Sequence, residues 1–241
     1  MMKTALATWP LLPLLAAQGL WLRRCVPRLP DAAGPCEGVT GATSERPLRL
    51  IVLGDSTVAG VGAAHHEEAL AGQMALSLHR RLRRPVRWLA VGRSGATAAT
   101  AGELLAPKLA GCAADALAVS LGVNDVKRLH SPARWQRDLA RLLALARGHL
   151  GDIPIVLAGI PPMSQFPALP QPLRFTFGLR STALDRAGAG LLANNPRARH
   201  VPFRRLENAP GFFARDGFHP APRGYAAIGA ALAEAAAQLL I

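Results

Sequence analysis

The chain is poor in cysteine, in lysine, in acid and in long apolar runs. Three Cys among 241 residues, Cys25, Cys36 and Cys112, make no disulfide scaffold. No CxxC pair occurs, so the spacing of a structural zinc site is missing. Only 18% of residues are charged and 50% are hydrophobic, which excludes intrinsic disorder. Beyond the first two dozen residues no second long apolar run exists, which excludes a multi-span membrane protein. What remains is a chain long enough for one sizeable domain with its own core.

Acid is scarcer than base. Fifteen Asp and Glu against 28 Lys and Arg leave a formal charge of +13. The base is nearly all arginine, since Lys3, Lys108 and Lys127 are the lysines. The arginines are scattered. The run Arg80, Arg81, Arg83, Arg84 reads as the solvated C-terminal end of a helix, where cations suit the dipole. No helix-turn-helix, finger or aromatic-basic platform is visible, so no nucleic-acid partner is expected.

Thr4 to Leu22 are almost free of charge, about the length of a bilayer-spanning helix, with Trp9 and Trp21 near the ends. Pro10 and Pro13 weaken it as a regular helix. Three readings stand for residues 1–26: a membrane anchor, a secretory signal peptide, or an apolar arm packed on the domain. Arg23, Arg24 and Arg28 follow the run, which places an anchored domain on the cytoplasmic side. Cleavage and export is the alternative. Residues 27–47, rich in Pro and Gly, read as a linker, and 48–241 as the domain.

Within the domain, short apolar runs alternate with helical patterns. Strands are predicted at Leu48 to Leu53, Val86 to Val91, Asp115 to Leu121, Ile153 to Leu157 and His200 to Phe203. Helices are predicted at Ala69 to Arg83, Thr97 to Leu109, Pro132 to Leu150, Leu173 to Ala193 and Ala221 to Leu240. The strands lack clean alternation, as parallel strands covered on both faces do. The expectation is an α/β fold, a three-layer helix–sheet–helix sandwich with a five-stranded parallel sheet. Ligands in such folds sit beyond the carboxyl ends of the strands.

Four short segments fall at that edge: Gly54-Asp55-Ser56-Thr57, Ser94-Gly95-Ala96-Thr97, Gly122-Val123-Asn124-Asp125 and Asp216-Gly217-Phe218-His219-Pro220. Ser56 is a nucleophile in need of a base. His219 titrates in the right range to serve, and Asp216 three residues earlier can orient its ring. The N–H groups of Ser56 and Gly95 and the amide of Asn124 are candidate donors to an oxyanion. Each segment alone is weak. Their joint occurrence, in order and at strand ends, carries the reading.

These four segments resemble the blocks of the SGNH hydrolases, also called GDSL esterases/lipases. The likeness spans about residues 48–240, and its closest flavour is the single-domain bacterial esterase, thioesterase and lysophospholipase group. It implies a flavodoxin-like fold, Ser56 as nucleophile, His219 as base, Asp216 as its partner, and Ser56, Gly95 and Asn124 as the oxyanion hole. It implies no metal and no cofactor. Thr57 stands where the family name has Leu, and Ala90 stands where the second block often begins with Asn.

The loop and helix start at Ile160 to Arg180 carry Phe166, Leu173 and Phe175, expected to form an apolar wall for an acyl chain, or else to pack on the sheet. Arg93, Lys127, Arg128, Arg174 and Arg180 lie near the rim, to meet an anionic head group or to serve as plain surface charges. The expected activity is hydrolysis of small-molecule or lipid-like acyl esters through an acyl-Ser56 intermediate. Acyl-CoA thioesterase, lysophospholipase and O-acetyl carbohydrate esterase are the enzyme alternatives. A membrane-tethered binding module, with membrane contact through residues 4–22, is the non-enzyme one.

Overall fold

The computed structural model describes residues 12–42, 46–203 and 210–241. The first half of the predicted apolar run, including Trp9 and Pro10, lies outside them. The elements in chain order are α1 (Leu12–Cys25), β1 (Glu37–Thr40), β2 (Leu48–Gly54), α2 (Leu70–Leu82), β3 (Val86–Gly92), α3 (Ala98–Leu109) and β4 (Ala116–Ser120). There follow α4 (Val123–Lys127), α5 (Pro132–Leu150), β5 (Ile155–Ala158), a 3-10 turn (Met163–Gln165), α6 (Leu173–Leu192), β6 (Ala198–Val201) and α7 (Pro222–Leu240).

One sheet joins the strands in the order β1-β3-β2-β4-β5-β6. All neighbours are parallel except β1, which runs antiparallel to β3. The expected five-stranded parallel sheet is therefore a six-stranded mixed one. The extra strand sits in the predicted linker. Its sequence, EGVT, is short and partly exposed throughout, as suits a sheet edge. The strand order reverses at β2, which has β3 on one side and β4 on the other. That places a crevice at its carboxyl end.

The central strand shows why the sheet is covered twice. Leu50 and Val52 face one layer, with Leu70, Met74 and Leu78 of α2 and Tyr225 and Leu232 of α7. Ile51 and Leu53 face the other, with Leu109 of α3, Leu139 and Leu142 of α5 and Leu184 of α6. Alternate residues point to opposite faces, so an unbroken apolar run fills both cores. Local signals set the helix ends. Ser131 accepts from the Arg134 N–H ahead of Pro132, and Thr97 forms a reciprocal cap with Thr100. Arg80 and Arg81 lie in the last turn of α2.

α1 lies against the domain. Leu15, Gln18, Gly19 and Leu22, with Val26 just past its end, form its half-buried stripe, at helical spacing. Gln18 Nε2 donates to the Gln171 carbonyl at 2.6 Å, and Gln18 Oε1 accepts from the Leu173 N–H at 3.2 Å. The second bond satisfies a donor of the first turn of α6. Among the described residues no helix is long and apolar enough to cross a membrane. The three cysteines are free thiols.

Candidate active site

Ser56 sits on a tight turn at the carboxyl end of β2. The Val58 and Ala59 N–H groups donate to the Asp55 carbonyl, and Val61 N–H donates to that of Ser56. Glycine on neighbouring strands makes room for this turn. A Cβ on Gly54 would lie 2.1 Å from the Ser120 carbonyl oxygen, and one on Gly92 would lie 2.3 Å from Ala59 N. No side chain fits at either place.

The Asp55 carboxyl points inward and is 3% exposed. It accepts from the Thr57 N–H at 3.1 Å and from Asn124 Nδ2 at 3.2 Å. Burial pushes its pKa up, against the pull of the hydrogen bonds from Thr57 and of the nearby His219 and Lys127.

Asp216 and His219 come from a narrow turn just before α7. Phe213 pairs with Pro220, Ala214 N–H donates to the His219 carbonyl, and Gly217 adopts φ +62°. One Asp216 oxygen accepts from the N–H groups of Phe218 and His219, both at 3.0 Å. The other is 2.6 Å from His219 Nδ1. Burial of Asp216 raises its pKa, but the His219 and backbone hydrogen bonds outweigh this and hold it below the ordinary value. On the far side of the ring, His219 Nε2 is 3.0 Å from Ser56 Oγ. The carboxylate fixes the proton on Nδ1, which leaves Nε2 free to accept from the serine.

Gly95 and Asn124 flank the serine. Gly95 takes φ +84° in the loop after β3. Asn124 lies on α4, a short helix immediately after β4, and is buried. Its Nδ2 donates to Asp55 and to the Ala96 carbonyl, and its Oδ1 accepts from Lys127 Nζ. The next residue anchors this arrangement. Asp125 accepts from His130 Nδ1 at 2.8 Å and from the Ala98 N–H at 3.2 Å. Burial raises the Asp125 pKa, opposed by those bonds. The GVND segment displays Asp125 openly, but its buried partners become visible only in three dimensions.

Two cavities meet at the serine and the histidine. The smaller, about 60 Å³, is lined by Phe166, Phe203, Phe212, Phe213, Phe218 and Ile228. The larger cleft, about 480 Å³, joins Ser56, Gly95, Asn124 and His219 to Leu169, Leu173 and Phe177, with α1 as its opposite wall. Of the residues expected to form an acyl wall, Phe166 therefore lines the small cavity and Leu173 the cleft. Phe175 lines neither and is 60% exposed. The reason is helical phase. Leu173 and Phe177 are four apart and share a face, whereas Phe175 is half a turn away.

Two rim arginines hold loops. Arg174 donates to the Leu169 and Pro167 carbonyls, and Arg180 to that of His130. Among the described residues no cluster of His, Cys, Asp and Glu could hold a metal ion.

A family model described as the GDSL-like lipase/acylhydrolase family matches residues 52–227. A GDSL-like esterase of Mycobacterium tuberculosis is 27% identical over 231 residues, 88% of this chain and 72% of that protein. Among solved structures, TesA is 25% identical with a TM-score of 0.59, over 79% of this chain and 99% of that one. Est24, a carbohydrate acetylesterase from Sinorhizobium meliloti, is 18% identical with a TM-score of 0.62, over 80% and 97% of the two chains, and shows the shared fold.

Proposed function

Because the chain belongs to the GDSL-like lipase/acylhydrolase family, we propose that it hydrolyses carboxylic esters through Ser56, His219 and Asp216. The observation that carries this reading is the continuous chain of hydrogen bonds from Asp216 through His219 to Ser56 Oγ. Ser56 Oγ attacks the ester carbonyl as His219 Nε2 takes its proton. Asp216, held ionised, stabilises the imidazolium that forms. The carbonyl oxygen becomes an oxyanion and meets the N–H groups of Ser56 and Gly95 and the Asn124 amide, which turns one of its two N–H groups from Asp55 or the Ala96 carbonyl toward it.

Collapse of the tetrahedral species breaks the C–O bond to the alcohol, which leaves with the proton from His219. Water, deprotonated by the same imidazole, then releases the acid from Ser56. The largely apolar lining of the cleft supports an ester with an apolar acyl group as substrate.

The test is a p-nitrophenyl ester series from acetate to palmitate on wild type and Ser56→Ala. The variant is expected to lose about four to six orders of magnitude in kcat while keeping its fold. Near wild-type turnover by Ser56→Ala would overturn the assignment.

A further inference from the structure

The cleft over Ser56 is built from two unrelated parts of the chain. One side is the hydrolase domain. The other is the N-terminal segment: Gly19 and Leu22 of α1, followed by Val26, Pro27, Arg28 and Leu29. The segment is tied down beyond its apolar contacts. Gln18 bridges to Gln171 and Leu173, and Asp31 accepts from Ser94 Oγ at 2.7 Å, beside Gly95. Ala32 and Ala33 N–H groups donate to the carbonyls of Ala59 and Ala64, on the loop that follows the nucleophile.

From this we infer that α1 is a wall of the acyl site, and that Gly19 and Leu22 set the length of acyl chain the enzyme accepts. The inference rests on the ester-hydrolase reading and adds to it a specificity determinant outside the domain the family model matches. The chemistry of the wall fits. Gly19 and Leu22 are three apart, so both face the cleft from adjacent turns, and Leu169, Leu173 and Phe177 face them from the domain. An extended acyl chain running from the carbonyl carbon bonded to Ser56 Oγ would lie between two apolar surfaces. Gly19 also leaves space in the cleft: a Cβ there meets nothing within 4 Å.

That space supplies the experiment. In the full chain, Gly19→Leu places a branched side chain into the cleft without a backbone clash and favours helix, so α1 is retained. Leu22→Ala widens the same wall. Trp21→Ala, on the exposed outer side of α1, is the control. The measurement is kcat/KM, with KM and kcat resolved, for p-nitrophenyl acetate and decanoate.

Gly19→Leu is expected to lower decanoate turnover about tenfold or more, chiefly through KM, and to leave acetate within about twofold. Leu22→Ala is expected to shift the preference toward longer chains, and Trp21→Ala to leave the ratio unmoved. A decanoate-to-acetate ratio that neither wall variant moves, or an equal fall on both esters, overturns the inference and leaves the hydrolase reading standing. A wild type active on acetate alone overturns it too. A wild type with no Ser56-dependent turnover takes both down.

Discussion

Replacing Asp216 by Asn tests the catalytic reading at its most sensitive joint. The substitution is nearly isosteric. The amide oxygen can still accept the Phe218 and His219 N–H groups, so two of the three hydrogen bonds to this side chain survive. The third does not. An amide NH₂ now faces His219 Nδ1, where a carboxylate oxygen stood at 2.6 Å. The imidazole answers by carrying its proton on Nε2, and so it no longer accepts from Ser56 Oγ, 3.0 Å away.

A wrong tautomer of this kind costs about four orders of magnitude in kcat. The loss of one charge-assisted bond costs about 1.5–3 kcal/mol of stability near neutral pH. The sign with pH follows from the depressed Asp216 pKa. Its stabilising contribution is present above the unfolded carboxyl value of about 3.9 and is lost as pH falls through the lower folded value. The stability gap between wild type and Asp216→Asn should therefore narrow as the solution is acidified through that range.

The assay is kcat for p-nitrophenyl butyrate, with urea melts at neutral and acidic pH. The double variant with Ser56→Ala should be no slower than Ser56→Ala alone, because the three groups act as one unit. An Asp216→Asn enzyme within tenfold of wild-type kcat, with unchanged far-ultraviolet circular dichroism, would refute the reasoning.

Asn124→Ala should lower kcat about 100- to 1,000-fold with little change in KM, measured on the same ester. Asp125→Ala strands His130 Nδ1 and the Ala98 N–H in a buried place, and should cost about 3 kcal/mol in a urea melt. Gly92→Ala drives a methyl against the nucleophile turn and should destabilise by about 1–3 kcal/mol while depressing turnover further than the lost fold accounts for, by thermal melt and single-substrate kinetics.

The parallel core was legible in the sequence because its central strands carry short apolar runs, such as LIVL before Gly54, and because β2, β3 and β4 each end at a turn bearing polar residues. β6 was displaced by two residues from its predicted place, since His200 to Phe203 leaves the sheet after Val201. β1 was hidden for a different reason. Four partly exposed residues in a Pro- and Gly-rich stretch carry no periodicity, and only pairing with β3 makes them a strand.

The serine, glycine, asparagine and histidine segments were visible through their order. The second side of the cleft was not. The stripe Leu15, Gln18, Gly19, Leu22, Val26 has helical spacing, but nothing local to it says which surface it covers. Nothing in the composition of residues 160–180 separates Phe175 from Leu173, and only the phase of α6 turns Phe175 to the outside.

Asp216 and His219 travel together. Four consecutive residues hold the proposed base, the carboxylate bonded to its ring and the two N–H groups that fix that carboxylate. The assembly thus has two moving parts rather than three, and a single gap, between Nε2 and Oγ, joins them. The alignment of the whole relay therefore reduces to that one distance, 3.0 Å.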